Sequence, residues 1–491
     1  MVRRKTMKRL LCYTMMGATA MCAEAQDVVK EEKSPLSADG GFDIRFRYEG
    51  YDNLPNGNGS RNGQISDPYT DLSRMRTRLW GSAYYGDYGL YARIANEFRT
   101  YSNYAPSHNY NRFPDQLFVD NLYLDFNNLF DLVSIRIGRQ EMGYGAGRVI
   151  ADGTPTDGSR SAFFDAAKIT LKVTDKTKGD FFGIYSKPVD NFLTLGDADG
   201  SPYNLTSYDG ATGGADRDDD LTEWALGTYW TLKEFDALPM EYYLIYKQES
   251  RWHKGGNSAN AIPGRKYATL GMRLTPKFTD DLKGDFEAAY QFGRTDADAD
   301  RGIKSQSINA FLLYGGLTYT ANSLDTFKPY GTLALLYLSG DDTASAYDRN
   351  GGPAKGVTGW NPVFGRYTYI GDLPVKMYGS SYRWSNLIWP HAEAGFTFKL
   401  FDRDNSFKLQ TGPMFADKDD RTGAPSGNDS LYRGWYTQAA YETTLVKEVV
   451  NKRGSLKGRL LAEQMFYGDY YYQDDRPGSG YYLRAELTMT F

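Results

Sequence analysis

The chain has 491 residues, is 41% hydrophobic, 15% aromatic and 24% charged, carries a formal net charge of −4, and has a negative mean hydropathy. No predominantly apolar run reaches the roughly 18 residues of a membrane-spanning helix, and both cysteines, Cys12 and Cys22, lie in the first 25 residues, so a disulfide scaffold is excluded. Its 8 Trp, 40 Tyr and 26 Phe argue against disorder, and the acidic balance against a nucleic-acid partner.

Residues 1–25 read as a secretory signal peptide. Arg3, Arg4, Lys5, Lys8 and Arg9 precede the apolar stretch Leu10–Met21, and Ala23-Glu24-Ala25 offers small residues for cleavage. A lipoprotein reading through Cys22 is weaker, because bulky Met21 precedes it. Removing this leader leaves 52 Lys+Arg against 60 Asp+Glu. Residues 26–40 read as a short polar periplasmic lead-in, and residues 41–491 as one barrel domain.

From Gly41 onward, period-2 alternation dominates. Phe42, Ile44, Phe46 and Tyr48 interleave with Asp43, Arg45, Arg47 and Glu49; Ala392, Ala394, Phe396 and Phe398 interleave with His391, Glu393, Thr397 and Lys399. One apolar and one polar face per strand suits a sheet between two different solvents. Eighteen segments follow this rule: 41–51, 72–85, 89–100, 117–126, 132–141, 162–174, 180–187, 221–231, 239–249, 265–275, 282–293, 306–319, 327–339, 388–400, 406–415, 432–446, 455–467 and 480–491. The odd-numbered connections all hold 12 residues or more and the even-numbered ones 8 or fewer. Long loops at one end and tight turns at the other predict an all-β, transmembrane, antiparallel up-and-down β-barrel of about 18 strands in a bacterial outer membrane, with both termini periplasmic. Surrounding lipid and lipopolysaccharide are then obligatory partners.

The last strand supports this. Tyr481, Leu483, Leu487, Met489 and Phe491 share one face, and its two terminal aromatics lie roughly 33 Å apart along a strand, which projects to about 25 Å of apolar band at a tilt near 40°. A terminal Phe after such alternation resembles the signal read by the barrel-assembly machinery, a second expected partner.

With apolar faces to lipid, the charged faces line an aqueous lumen. In the first six strands these faces carry Arg45, Arg47, Arg74, Arg76, Arg78, Arg93, Arg99, Arg136, Lys168 and Lys172 against Asp43, Glu49, Glu97 and Asp125. The remaining strands are nearly balanced. Guanidinium is permanently charged and bonds carboxylates through paired N–H groups. The arginine-rich half therefore predicts passage of an anionic solute, on the expectation that its acids are too few to pair every cation. Cross-lumen pairing that merely holds the barrel open is the plainer reading of the same residues.

Ile135-Arg136-Ile137-Gly138-Arg139-Gln140, then Tyr144-Gly145-Ala146-Gly147-Arg148, Asp152-Gly153 and Phe164-Asp165-Ala166-Ala167 resemble the signature of the alginate export family. Arg74-Met75-Arg76-Thr77-Arg78-Leu79 and the stretch Trp360–Arg366 are similar to its other recurrent pieces. The resemblance implies an eighteen-stranded outer-membrane barrel whose arginine-lined pore passes an acidic polysaccharide or smaller anions. The connection 340–387, long and aromatic, either folds inward to constrict the mouth or packs over the rim.

No catalytic site emerges: His108, His253 and His391 are widely separated, and a nucleophile without its base is weak. No cofactor is expected. Acidic runs at Asp197 and Asp199, at Asp216 to Asp220, at Asp296 to Asp300 and at Asp417 to Asp420 offer oxygen ligands for loop calcium, without a complete loop pattern. Two rivals follow: a barrel whose external loops bind a ligand or surface glycan with little transport, and a barrel enzyme built on His391 or His253.

Overall fold

The structure is a computed structural model that describes residues 36–55, 65–66, 70–101, 116–151, 164–186, 194–197, 222–253, 261–297, 304–324, 326–341, 356–365, 369–377, 384–418, 430–449, 454–471 and 478–491. The expected leader, Asp152, His108, Arg366 and most of the acidic loop runs lie outside these residues.

Eighteen antiparallel strands close into one barrel: β1 (Leu36–Asp52), β2 (Thr70–Tyr85), β3 (Tyr88–Tyr101), β4 (Gln116–Leu129), β5 (Val133–Gln140), β6 (Phe164–Lys172), β7 (Thr177–Ser186), β8 (Glu223–Leu232), β9 (Met240–Glu249), β10 (Arg265–Leu274), β11 (Leu282–Thr295), β12 (Ser307–Thr320), β13 (Tyr330–Leu338), β14 (Leu387–Leu400), β15 (Arg403–Phe415), β16 (Tyr432–Val446), β17 (Ser455–Tyr467) and β18 (Ser479–Thr490). β18 pairs with β1 from Asp43↔Thr490 to Asp52↔Tyr481, so no edge is left open. Phe491 completes the seam: its N–H donates to Phe42 O at 2.9 Å, its carbonyl accepts from Phe42 N at 3.1 Å, and the two rings lie 5.4 Å apart.

The eighteen segments read from alternation all recur, and so does the alternation of their connections. β1 begins at Leu36, inside the expected lead-in, and pairs with β2 from Leu36↔Tyr85 onward. Tight turns close one end. In the Gly86-Asp87 turn, Gly86 takes φ +59°, a left-handed conformation that a glycine adopts without steric cost.

Burial is inverted relative to a soluble protein. Phe46, Leu79, Leu124, Ile137, Leu226, Leu270, Leu333, Leu460, Leu483 and Leu487 are exposed, whereas Arg45, Arg47, Glu49, Arg76 and Glu97 are buried. Exposed Tyr85, Tyr88, Phe130, Phe235, Phe278, Tyr319, Phe327 and Phe401 ring the tight-turn end, as an aromatic girdle at a membrane interface does. The exposed side chains form the lipid face, and Leu483, Leu487 and Phe491 of the assembly pattern belong to it.

The wall is patched beyond the end of β5. β5 ends at Gln140, where the chain turns inward. Its place on the edge of β4 is taken by Thr194–Asp197, which pairs antiparallel with Gln116–Phe118.

Candidate functional site

Among the described residues, the connections that follow β5 and β13 fold into the lumen. The first, 141–151, follows β5. Tyr144 N donates to Ile150 O at 3.0 Å and Gly147 N to Tyr144 O at 2.9 Å, closing a tight loop, and the Tyr144 ring stacks on Tyr229 at 4.4 Å. Arg148 reaches from this loop to β11, where it donates to Glu287 at 2.7 Å and Asp285 at 3.2 Å, and its guanidinium lies 3.5 Å above the Tyr314 ring of β12.

The second is the connection 340–386, whose described parts settle its two readings in favour of the inward one. Asn361 N donates to Gln291 Oε1 at 3.0 Å, Gln291 Nε2 returns a bond to Asn361 O at 2.7 Å, and Asn361 Nδ2 donates to Glu249. Lys247, fully buried at 0% exposure, lies 2.9 Å from Glu249 and 3.3 Å from Glu223, and donates to Val363 O at 2.7 Å. These contacts fix the segment to β9 and β11. Further along, α1 (Asp372–Met377) has its first two N–H groups bonded by Glu463 of β17, and Asp372 pairs with Arg484 of β18 at 2.9 Å. β9 and β18 are nine strands apart in a ring of eighteen, so this connection touches opposite walls. The two inward segments meet where Phe364 and Gly365 pair parallel with Ile150 and Ala151. Met142, Val149, Ile150, Val363, Phe364 and Leu373 belong to one buried apolar cluster.

Beside this bar stands the arginine wall. Register places Arg45 beside Arg76, and Arg47 beside Arg74, which faces Arg99 in turn. Across β18, β1, β2 and β3, seven guanidiniums share four carboxylates. Glu486 lies near Arg45, Arg47 and Arg484; Asp43 near Arg76 and Arg78; Glu49 near Arg47 and Arg74; Glu97 near Arg74 and Arg99. The expectation of unpaired cations is therefore corrected: the arginines are paired, and the excess appears as sharing. Arg74 Nε and Arg78 Nη1 have no hydrogen-bond partner among the described residues.

Two further acids, Asp120 and Glu141, escape the alternation for a physical reason. A β-bulge interrupts the β3–β4 register between Arg93 and Ile94, so Asp120 and Asn121, adjacent in sequence, are both buried. Asp120 then accepts from Arg93 at 2.7 Å, and Glu141 pairs with the same guanidinium. Two adjacent polar residues inside the alternating run 117–126 were the only signal of the bulge. Arg136 makes a bidentate pair with Asp125 at 2.7 and 2.9 Å. Lys168 faces the lumen and makes no ion pair with a described residue within 4 Å. Lys172 stands apart from the wall, at the tight-turn margin, paired with Asp175 at 2.7 Å.

The motif residues divide into two groups. Tyr144, Gly145, Gly147 and Arg148 build the first inward loop. Gly138, Arg139, Gln140 and Asp165 repair the wall around it. Gly138 has φ +129°, and a Cβ there would overlap the Leu122 carbonyl oxygen. Arg139 falls on the lipid side of β5 with Ile135 and Ile137. It bonds Asp165 twice, at 2.9 and 3.1 Å, and donates to Val119 O beside the bulge at 3.1 Å. Buried Gln140 donates to Gly138 O and Ala166 O.

His391 stacks on Trp389 at 3.8 Å, and the Trp389 carbonyl lies 3.1 Å from its Nδ1.

Among solved structures, the fold is similar to Pseudomonas aeruginosa OccK8 (OprE), with 13% identity, TM-score 0.53, and 92% of this chain and 98% of that chain covered. It is also similar to Acinetobacter baumannii OccAB1, with 13% identity, TM-score 0.51, and coverage of 92% and 96%. At such identities the likeness shows the barrel fold alone. No curated protein sequence matches the chain. A family model described as alginate export matches residues 38–403, three quarters of the sequence. The inward loop, the arginine wall and this match agree, and the chain belongs to the alginate export family of outer-membrane channels.

Proposed function

We propose that this channel passes anionic solutes, carboxylate-bearing ones above all, along the wall formed by β18, β1, β2 and β3. The observation that carries the reading is the sharing of four carboxylates by seven guanidiniums. Each guanidinium offers five N–H donors in a fixed fork, so a passing carboxylate can exchange with a resident one at little cost in pairing. Positions two apart on a strand are roughly 6.6 Å from each other, so Arg74, Arg76 and Arg78 form closely spaced steps rather than one deep trap. The family's description, alginate export, is consistent, since a polyuronate carries a carboxylate on every sugar. The bar pinned to both walls favours solutes short enough to pass beside it over a long polymer.

The test is the reversal potential of the purified protein in a planar bilayer under a KCl gradient. Anion preference is expected, weakening as salt shortens the screening length to about 3 Å near 1 M. A preference for potassium would overturn the proposal.

A further inference from the structure

The outer face of the barrel carries a feature that transport does not use. Along β11 the lipid-facing positions read Leu282, Gly284, Phe286, Ala288, Tyr290, Phe292 and then Arg294. From Leu282 to Phe292 is roughly 33 Å of strand, or about 25 Å of membrane at the usual tilt. The apolar band ends at Phe292, and Arg294 is the next outward residue, on the side of the long connections. Its register partner on β10 is Lys266. Lys266 also faces outward, is 46% exposed, and pairs with Asp296 at 2.9 Å. Arg294 is exposed and has no ion-pair partner among the described residues. Gln248 flanks Lys266 in the same outward row. Immediately below lie the rings of Tyr246, Tyr290 and Phe292, with Tyr290 and Phe292 stacked at 5.6 Å.

A charged side chain at a lipid-facing position is costly unless compensated. Arg139, also on the lipid side, is neutralised by its bidentate pair with Asp165. Among the described residues, Arg294 and Lys266 have one carboxylate between them, at the height of the headgroups of the outer leaflet. We propose that Lys266 and Arg294 bind the phosphate of a phosphorylated glycolipid of that leaflet. The guanidinium matches phosphate through paired N–H groups. Asp296 and Gln248 offer acceptors to sugar hydroxyls, which a simple phospholipid headgroup uses less, and the aromatic row seats the acyl chains. This site is independent of the lumen.

The test compares binding of bisphosphorylated lipid A and its dephosphorylated form to the purified barrel in micelles, by native mass spectrometry. The wild type is expected to prefer the phosphorylated form by about tenfold, the effect of one charge-assisted hydrogen bond. R294Q should lose most of that preference and the double variant K266Q/R294Q all of it, with KCl conductance unchanged. Equal binding of the two lipids to the wild type overturns the proposal. So does a preference retained by the double variant, or displacement by phosphatidylglycerol as effective as by lipid A.

Discussion

The arginine wall makes a quantitative prediction. Arg93 apart, which pairs with Asp120 and Glu141, its seven guanidiniums face, among the described residues, four carboxylates of the same strands and one more, Asp372, brought in by the bar, which leaves this cluster an excess of two positive charges. At about 7 Å in a water-like dielectric, two charges attract a monovalent anion by about 1.2 kcal/mol, and by about 0.6 kcal/mol after screening at 0.1 M salt. That energy is close to RT, so anions beside the wall are concentrated roughly threefold and cations depleted in proportion. At 1 M salt the attraction falls to about 0.1 kcal/mol and the preference nearly vanishes.

Replacing Arg74, Arg76 and Arg78 by glutamine removes three charges and turns the local excess from two positive to one negative. The reversal potential in a shallow KCl gradient near 0.1 M should then change sign toward potassium, rather than merely shrink. Glutamine keeps hydrogen-bond donors for Asp43, Glu49 and Glu97, and resistance of the folded barrel to SDS at room temperature would show that closure survives. A folded triple variant with wild-type anion preference would refute the reasoning and leave these arginines as wall braces.

Lys247→Met should destabilise the barrel by about 3–5 kcal/mol, because it strands Glu223 and Glu249 in a buried site; urea unfolding in micelles reads this, and a change under 1 kcal/mol would deny the pin its role. Gly138→Ala should lower the yield of folded barrel, whereas Gly143→Ala, where a Cβ meets nothing within 4 Å, should leave it unchanged; equal yields would show that the β4–β5 approach tolerates a side chain. At the β8–β9 turn, the hydroxyls of Thr174 and Thr177 hold Glu234 below the usual carboxylate range, and Lys176 does the same for Asp236. A depressed folded-state pKa contributes stability above the unfolded value of about 4 and loses it as pH falls through the folded value. Amide-exchange protection of this turn should therefore be flat from pH 5 to 8 and fall only in stronger acid; loss of protection between pH 5 and 7 would contradict the pairing.

The barrel was legible because lipid and water impose opposite demands on alternate residues, and that demand repeats eighteen times. It fails to mark Leu36 to Gly40, where Ser37, Ala38, Asp39 and Gly40 give neither face a character. The candidate lumen was legible in composition and not in pairing. Arg47 meets Glu486, 439 positions away, only because the last strand closes on the first in one particular register. Asp120 was hidden by a bulge, which shifts the phase on which every facing assignment depends. The fate of connection 340–386 had no local signal, since aromatic residues pack equally well over a rim or inside a lumen. Asn361 and Lys247 decide it, and their meeting depends on the fold of both.

The sharing of carboxylates follows from what arginine is. A guanidinium cannot shed its proton, so an uncompensated row of seven at the burial of Arg45, Arg47 and Arg76 would carry a desolvation cost of several kcal/mol for each charge. Full one-to-one neutralisation removes that cost and with it the field that draws an anion in. Bridging each carboxylate between two or three arginines lies between these limits. Every cation keeps a counter-charge within reach, while the wall as a whole keeps a small positive excess. Anion preference is then set by this excess and not by the number of arginines, so deleting one carboxylate, such as Glu97→Gln, should raise the preference even as it loosens Arg74 and Arg99.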